Sequence, residues 1–192
     1  MAKSHVDWPP NGQQATNLRL PVQASVLAQG IRGCLHGRPG LYAAFGNRED
    51  PFRKALDLYT HGPGPASFAA LEEPTARRVV ASLLRNTVEG STEPATPAGC
   101  LLVHGALVGG DASEAVKKEL ADRRAGVVAA LQERFEHAVA EGDLPADADA
   151  ADLARFVMAV SNGIAVHAAG GVAREELQRT ADLALRAWPN AD

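Results

Sequence analysis

The fold class is decided by residues 116–139, which read VKKELADRRAGVVAALQERFEHAV. Apolar side chains recur there at every third or fourth position, with charged side chains between them; the apolar set is Val116, Leu120, Val127, Val128, Leu131, Phe135, Ala138 and Val139. This period is that of an amphipathic helix with one buried face. We therefore predict a long helix that starts near Asp111 or Ser113, ends near Glu141 and turns Arg123 and Arg124 toward solvent.

The segments on both sides of this helix also carry helical punctuation. Pro74 stands at a predicted helix start, and Gly90 ends the apolar stripe that follows it. Residues 100–108 are a short apolar run, which we assign to a buried helix because its neighbours are helical. Asp149 is a predicted helix cap, and a last helix reaches Trp188. The chain is predicted to be all-α.

Composition agrees with a helical globular protein. The chain has 192 residues, of which 46% are hydrophobic and only 5% aromatic, and this favours packed helices over an aromatic-rich β-sandwich. Cys34 and Cys100 are too few for a disulfide framework, so a cytoplasmic location is expected. Between Arg155 and Arg174 no residue is charged, but Asn, His and Gly in this stretch favour a helix covered by protein over a membrane span.

Charge is distributed unevenly along the chain. Within residues 1–48 five basic residues stand against the single acid Asp7, whereas acidic residues predominate in residues 49–192. A basic end on an acidic body is typical of a protein that meets a polyanion at one end. A basic terminus without a partner explains the same pattern equally well.

No pattern of catalysis is found in the sequence. Nucleophile elbows, nucleotide-binding glycine loops and metal-ligand spacings are all missing, so neither an enzyme, nor a cofactor, nor a metal site is expected. The acidic residues around Asp147 are predicted to cap helices and turns. Polar residues inside apolar helices can instead line a ligand pocket, and the candidates are Asn86, His104, Asn162 and His167. For the two histidines, a satisfied place in the core or in an interface is the alternative.

The last two predicted helices are too apolar for the surface of a monomer. The first of them is apolar around most of its circumference, and such a helix must be covered on more than one side. A symmetric dimer is the simplest cover, and a central position within the subunit is the alternative. The candidate interface residues are Phe156, Val160, Ile164, Ala168, Leu177, Ala181, Ala184 and Trp188.

One segment carries a family resemblance. Residues 38–52 read RPGLYAAFGNREDPF, and the spacing of Leu41, Tyr42 and Phe45 before Arg48-Glu49 resembles the recognition-helix end of TetR-family transcriptional repressors. Further on, the segments GCLLV, EGDLP and ALRAW, which begin at Gly99, Glu141 and Ala184, are similar to the ligand-binding and dimerisation domain of that family's AcrR-like branch. The resemblance covers residues 38–188.

The resemblance implies both an architecture and a function. Residues 1–47 would form a small DNA-binding head with a helix-turn-helix, and residues 48–192 an antiparallel helical bundle that binds ligand and dimerises through its last two helices. The family binds double-stranded operator DNA as a homodimer and is released by a small apolar effector. By position, phosphate contacts are implied for Tyr42 and Arg48, and major-groove positions for Arg38, Gly40 and Ala43.

Residues 1–37 depart from the family pattern, which has two helices before the recognition helix. Pro9, Pro10 and Pro21 interrupt this stretch, together with several glycines. The head is divergent, or degenerate and unable to bind DNA, or altered by a reading-frame error. A helical small-molecule-binding dimer that has lost DNA binding is therefore the alternative function.

Overall fold

The computed structural model describes residue 56 and residues 69–107 and 114–189 of the chain. These residues form five α-helices after a short 3₁₀ helix at Ala70–Glu72, and they contain no strand. The helices are α1 (Ala76–Ser91), α2 (Leu101–Leu107), α3 (Glu114–Ala140), α4 (Ala150–Ala169) and α5 (Arg174–Arg186). The prediction of an all-α fold is confirmed.

The start of α4 follows the cap expected at Asp149, whereas α1 begins two residues after Pro74, at a cap the sequence analysis did not name, and includes Gly90. The Thr75 hydroxyl accepts a hydrogen bond from the Arg78 N–H, 3.3 Å away, and starts α1. The Asp149 carboxylate accepts one from the Asp152 N–H at 2.9 Å and starts α4. The closing helix α5 ends at Arg186, two residues before Trp188. Each cap satisfies an N–H that the helix itself leaves without an acceptor.

A second carboxylate links two distant parts of the chain. Asp143 lies in the turn between α3 and α4, and its Oδ2 accepts a hydrogen bond from the Ala76 N–H. The first turn of α1 therefore has two side-chain acceptors, one from Thr75 and one from Asp143. Cap and turn roles are thus observed for Asp143 and Asp149, two of the acidic residues for which the sequence predicted them.

The main core lies between α1, α3, α4 and α5. Phe135 of α3 is fully buried there, and its ring centroid lies 5.2 Å from that of Trp188 in a tilted arrangement. Such ring pairs contribute about 0.5–1.5 kcal/mol beyond the area that they bury. The apolar stripes of α1 and α3 were predicted to be buried, and this is confirmed: Leu83 and Leu84 of α1 and Leu131 of α3 lie in this core.

A smaller cluster lies at the start of α3. Leu56, Val116 and Leu120 are buried together, and Leu101 and Leu102 of α2 pack against them. The helix expected in the apolar run is observed over Leu101–Leu107, and apolar contacts hold α2 against α3. Among the helices of the described residues, none combines the length and apolar character that a membrane crossing requires.

Arg124 is the clearest local error of the sequence prediction. It was expected to face solvent, but its side chain is half-buried and its Nη1 donates a 2.8 Å hydrogen bond to the Leu102 carbonyl oxygen. Arg123 does stay on its own helix, where it pairs with Glu119 at 2.8 Å. The contact of Arg124 joins α2 to α3 and could not be foreseen, because it depends on which helix lies next to α3.

Candidate functional site

The predicted DNA-contacting residues lie outside the described residues. They are Arg38, Gly40, Tyr42, Ala43 and Arg48. Their roles stay predictions, as does the domain boundary between residues 47 and 48. The predicted ligand-binding and dimer residues, in contrast, all lie within the described helices or directly after them.

His104 is held in one orientation by a backbone acceptor. Its Nδ1 lies 2.9 Å from the Cys100 carbonyl oxygen, four residues earlier on the chain. A carbonyl oxygen only accepts hydrogen bonds, so Nδ1 carries the hydrogen. In the neutral ring the lone pair is then on Nε2. His104 therefore carries a hydrogen-bond acceptor at Nε2.

The backbone at Gly99 makes room for this ring. Gly99 has a φ of +99°, and a Cβ placed on it would lie 2.3 Å from His104 Cε1 and 3.1 Å from the Ala165 carbonyl oxygen. Any other residue would be strained here and would displace the imidazole. The His104 ring thus packs against the loop between α1 and α2, at a point where that loop meets α4.

A hydroxyl pair connects α1 and α4. We call the region in which α1 and α2 pack against α4 the seam. Thr87 Oγ1 donates a 2.9 Å hydrogen bond to the Leu83 carbonyl oxygen and lies 2.9 Å from Ser161 Oγ. Because Thr87 has a single hydroxyl hydrogen, Ser161 donates to Thr87. Ser161 is 8% exposed. Sequence reasoning missed this pair because Ser and Thr are common on helices, and only the packing of α1 on α4 makes them meet.

Two of the predicted ligand residues flank this pair in sequence. Asn86 precedes Thr87 on α1 and Asn162 follows Ser161 on α4, and both are half-buried. Asn86, Asn162 and His104 thus lie on the three elements that meet here, namely α1, α4 and α2. These residues are polar groups on otherwise apolar elements, and their role in ligand binding stays a prediction.

His167 does not belong with these three residues. It is exposed, in the last turn of α4, whereas the neighbouring Ala165 and Ala168 are buried. At 100° per residue, His167 lies on the side of the helix that faces away from the core. The structure therefore places it on the outer surface of the subunit and not in the interior seam.

Most of the predicted dimer residues turn out to be covered within one subunit. Exposures of 1–7% are found for a group that packs into the main core, namely Ile164, Ala168, Leu177, Ala181, Ala184 and Trp188. A side chain already covered by its own subunit has almost no surface left to bury against a second copy. These six residues are assigned to the subunit core, and the burial of the apolar stripe explains why their sequence pattern suggested an interface.

The remaining two predicted dimer residues do face outward or partly so. Phe156 is 40% exposed and Val160 is half-buried. Two further apolar side chains are exposed, namely Val166 of α4 at 42% and Leu183 of α5 at 60%. The outer surface of α4 and α5 is therefore apolar at these four positions, and this is the surface available for another molecule.

Comparison with known proteins identifies the family. Residues 76–184, which run from the start of α1 to within three residues of the end of α5, match the family described as "Tetracyclin repressor-like, C-terminal domain". The chain belongs to the TetR family. The TetR-type body therefore comprises all five described helices, with α1, α3, α4 and α5 around the main core.

Relatives along nearly the whole chain are transcriptional regulators. The HTH-type transcriptional repressor ComR of Escherichia coli (strain K12) is 29% identical over 181 residues, 93% of this chain and 82% of that protein. A solved structure of the TetR family transcriptional regulator CifR, a cysteine mutant complexed with 26bp double-strand operator DNA, is 38% identical with a TM-score of 0.76 and covers 93% of this chain and 100% of that one.

A third TetR-family relative has a similar extent. The putative TetR transcriptional regulator from Rhodococcus sp. RHA1 is 36% identical with a TM-score of 0.61, over 90% of this chain and 100% of that one. The relatives named here are regulators of transcription.

Proposed function

We propose that the protein is a ligand-responsive transcriptional repressor that acts in the cytoplasm, binds operator DNA as a homodimer and is released by a small apolar effector. The observation that carries this proposal is the similarity to CifR, whose structure holds operator DNA and covers 93% of this chain. Because the match to CifR covers 93% of this chain, fewer residues are unmatched than the 48 of the basic first part. At least some of residues 1–48 therefore belong to the matched region. This supports the proposal that the first part of the chain corresponds to the DNA-binding head of the family.

DNA contact is proposed for the basic first part of the chain. Tyr42 and Arg48 donate to phosphate oxygens, while Gly40 and Ala43 let the recognition helix approach the base edges and Arg38 lies at the major groove. Phosphate contacts displace counterions, so affinity should fall steeply as salt rises. The acidic body, residues 49–192, stays away from the duplex and keeps the basic end oriented toward it.

The effector site is proposed at the seam where α1, α2 and α4 meet. Asn86, His104 and Asn162 would supply the polar contacts, and the Thr87–Ser161 pair would keep the two longer helices in register. The Nε2 acceptor of His104 favours an effector with a hydroxyl or N–H group on an otherwise apolar frame. Movement of α2 would then reach α3 through the hydrogen bond of Arg124 to the Leu102 carbonyl oxygen, 2.8 Å long.

The proposed homodimer is built on the outer surface of α4 and α5. Phe156, Val160, Val166 and Leu183 are the side chains that a second copy would cover. A twofold arrangement would present two heads to one duplex, so that the half-sites lie about one helical turn or a multiple of it apart.

The test is DNA binding by the full-length protein. A duplex selected from a random pool should bind tightly, with an affinity that falls by orders of magnitude between low and moderate salt. Tyr42→Phe and Arg48→Ala should weaken binding to all duplexes alike. Arg186→Ala, on the exposed last turn of α5, is the control and should leave binding unchanged.

Two outcomes would contradict the proposal in different ways. A dimer that binds no duplex at any salt concentration would leave only the helical ligand-binding dimer that has lost DNA binding. A change of sequence preference in Tyr42→Phe or Arg48→Ala, with unchanged phosphate-dependent affinity, would contradict their assigned phosphate contacts while leaving the repressor function standing.

A further inference from the structure

The neutral ring of His104 carries one N–H hydrogen, and the protein itself uses it. Nδ1 lies 2.9 Å from the Cys100 carbonyl oxygen, which only accepts hydrogen bonds, so the hydrogen is on Nδ1. Nε2 then has a lone pair and no hydrogen. Toward a bound molecule the ring can accept a hydrogen bond at Nε2, but it has none to donate.

The hydroxyl pair of the seam has the same property. The Thr87 hydroxyl hydrogen goes to the Leu83 carbonyl oxygen, and the Ser161 hydroxyl hydrogen goes to Thr87 Oγ1, each over 2.9 Å. A hydroxyl oxygen has two lone pairs besides its hydrogen, so Ser161 Oγ can still accept. Because Ser161 is only 8% exposed, water competes little for this arrangement. Ser161 is thus a second acceptor whose hydrogen is already used.

The two acceptors lie one helical turn apart along α4. Ser161 and Ala165 are four residues apart on the same side of this helix, which is about 6 Å along its axis. A Cβ placed on Gly99 would meet both the His104 ring and the Ala165 carbonyl oxygen, so the ring lies beside Ala165. The seam therefore holds two side-chain acceptors at neighbouring turns of one helix.

The other polar groups of the seam do not change this balance. Asn86 and Asn162 have amide side chains, and an amide presents both a donor and an acceptor, so it suits either kind of ligand. No Asp, Glu, Lys or Arg occurs from residue 156 to residue 173 of the sequence. Arg124 does reach α2, but its Nη1 donates to the Leu102 carbonyl oxygen. Among the described residues of the seam, the side chains that discriminate between ligands are therefore His104 and Ser161.

We infer that the seam selects a neutral effector with two neighbouring hydrogen-bond donors on an apolar frame, such as a diol or a dihydroxyarene. The inference rests on the proposed effector site and deepens it by naming the class of molecule. Two hydroxyl groups satisfy Nε2 and Oγ together. An ether or a carboxylate of the same shape places lone pairs against lone pairs and leaves Nε2 without a donor. A site that hydrogen-bonds a ligand hydroxyl rejects the analogue that lacks it more strongly than apolar contacts alone can.

Three probes with the same aromatic ring test this selectivity, namely resorcinol, its dimethyl ether and benzoate. Ligand-observed NMR titrations with the full-length protein measure their dissociation constants. Resorcinol should bind at least about tenfold more tightly than either of the others, because each unmade hydrogen bond leaves a polar group without its partner. Equal binding of resorcinol and its ether, tighter binding of benzoate, or no binding of resorcinol at millimolar concentration would overturn the inference.

Two variants assign the selectivity to the seam. His104→Phe keeps a ring beside Gly99 but removes the Nε2 acceptor, and Ser161→Ala removes the other acceptor. Each should lower the preference for resorcinol over its ether several-fold, and the double variant should abolish it. His137→Phe, in the exposed last turn of α3, is the matched control and should leave the preference unchanged. Circular dichroism checks that the variants are helical. An unchanged preference in the double variant would place the probe elsewhere and overturn the inference.

The hydrogen position on His104 has a readout of its own. Proton–nitrogen correlation NMR distinguishes the two neutral tautomers of a histidine ring, and His104 should show the Nδ1–H form. Resorcinol should shift the Nε2 resonance of His104, whereas its dimethyl ether should not. A ring with its hydrogen on Nε2 would present a donor to the seam and would overturn the inference without any binding measurement.

The failure of this inference can be distinguished from the failure of the proposed function. If the full-length protein binds a selected duplex but binds resorcinol and its ether equally, the donor selectivity is wrong and the repressor stands. If the protein prefers resorcinol and the variants lose this preference, but no duplex is bound at any salt concentration, the ligand site stands and the repressor function fails.

Discussion

The two sides of helix α4 are made from similar residues but have different roles. The inward side, with Val157 and Ile164, is buried against the other helices of the same chain. On the outward side Phe156 and Val166 are 40–42% exposed, although the sequence has no charged residue from 156 to 173. The comparison teaches that the apolar character of a helix shows only that it must be covered; which side the subunit covers follows from its packing.

The largest effect should separate these two sides. Ile164→Ala removes buried atoms from the inward side and should lower the free energy of unfolding by about 2–5 kcal/mol. Val166→Ala on the outward side should cost less, about 1.5 kcal/mol at most, because the side chain is 42% exposed within the subunit and only the proposed second copy covers it. Urea unfolding at matched protein concentration measures both, and equal losses would contradict the assignment of the two sides.

A smaller loss is expected where α4 meets the loop between α1 and α2. Gly99→Ala forces a Cβ into a backbone with φ near +99° and toward the His104 ring. We expect a loss of about 1–3 kcal/mol in the free energy of unfolding. The double variant Gly99→Ala with His104→Ala should recover part of the loss by removing the collision but not the φ strain. Complete additivity of the two single changes would show that the ring does not pack against Gly99.

Much of the fold follows from the sequence because it depends on local rules. Apolar periodicity predicts α1, α3 and α4, and the cap at Asp149 predicts where α4 begins. These features need only neighbours a few residues away. The position of His167 on the outward face of α4 follows from the same periodicity, measured from Phe156, and the helical wheel was the signal that could have found it.

The candidate site was less predictable because it depends on which helices meet. The Thr87–Ser161 pair joins residues 74 positions apart, and the bond from Arg124 to Leu102 joins two different helices. An apolar stripe also does not show whether its residues are covered by their own subunit or by a second one. Ala181, for example, would have the same side-chain chemistry in a core and in an interface. Only packing distinguishes the two.

The next largest loss of unfolding free energy is expected in the turn between α3 and α4. Asp143→Ala removes the acceptor of the Ala76 N–H and should lower the free energy of unfolding by about 0.5–2 kcal/mol, while the cap from Thr75 remains. Asp147→Ala, in the same turn but exposed, is the control and should stay within about 0.5 kcal/mol of the wild type. Thermal unfolding followed by circular dichroism measures both. Equal shifts would indicate a general effect of charge instead of a cap.

The smallest effect concerns the single polar pair described on the inward side of α4. Ser161→Ala removes a donor and leaves Thr87 with its own bond to the Leu83 carbonyl oxygen, so the loss should be about 1 kcal/mol. Thr87→Val should cost more, because it leaves the Ser161 hydroxyl without its partner in a site that is 8% exposed. The double variant should be close to the wild type, since the two hydroxyls are then replaced together by apolar groups. If the double variant instead loses the sum of both single effects, the hydroxyls act independently, and the inward side of α4 is held by apolar packing alone.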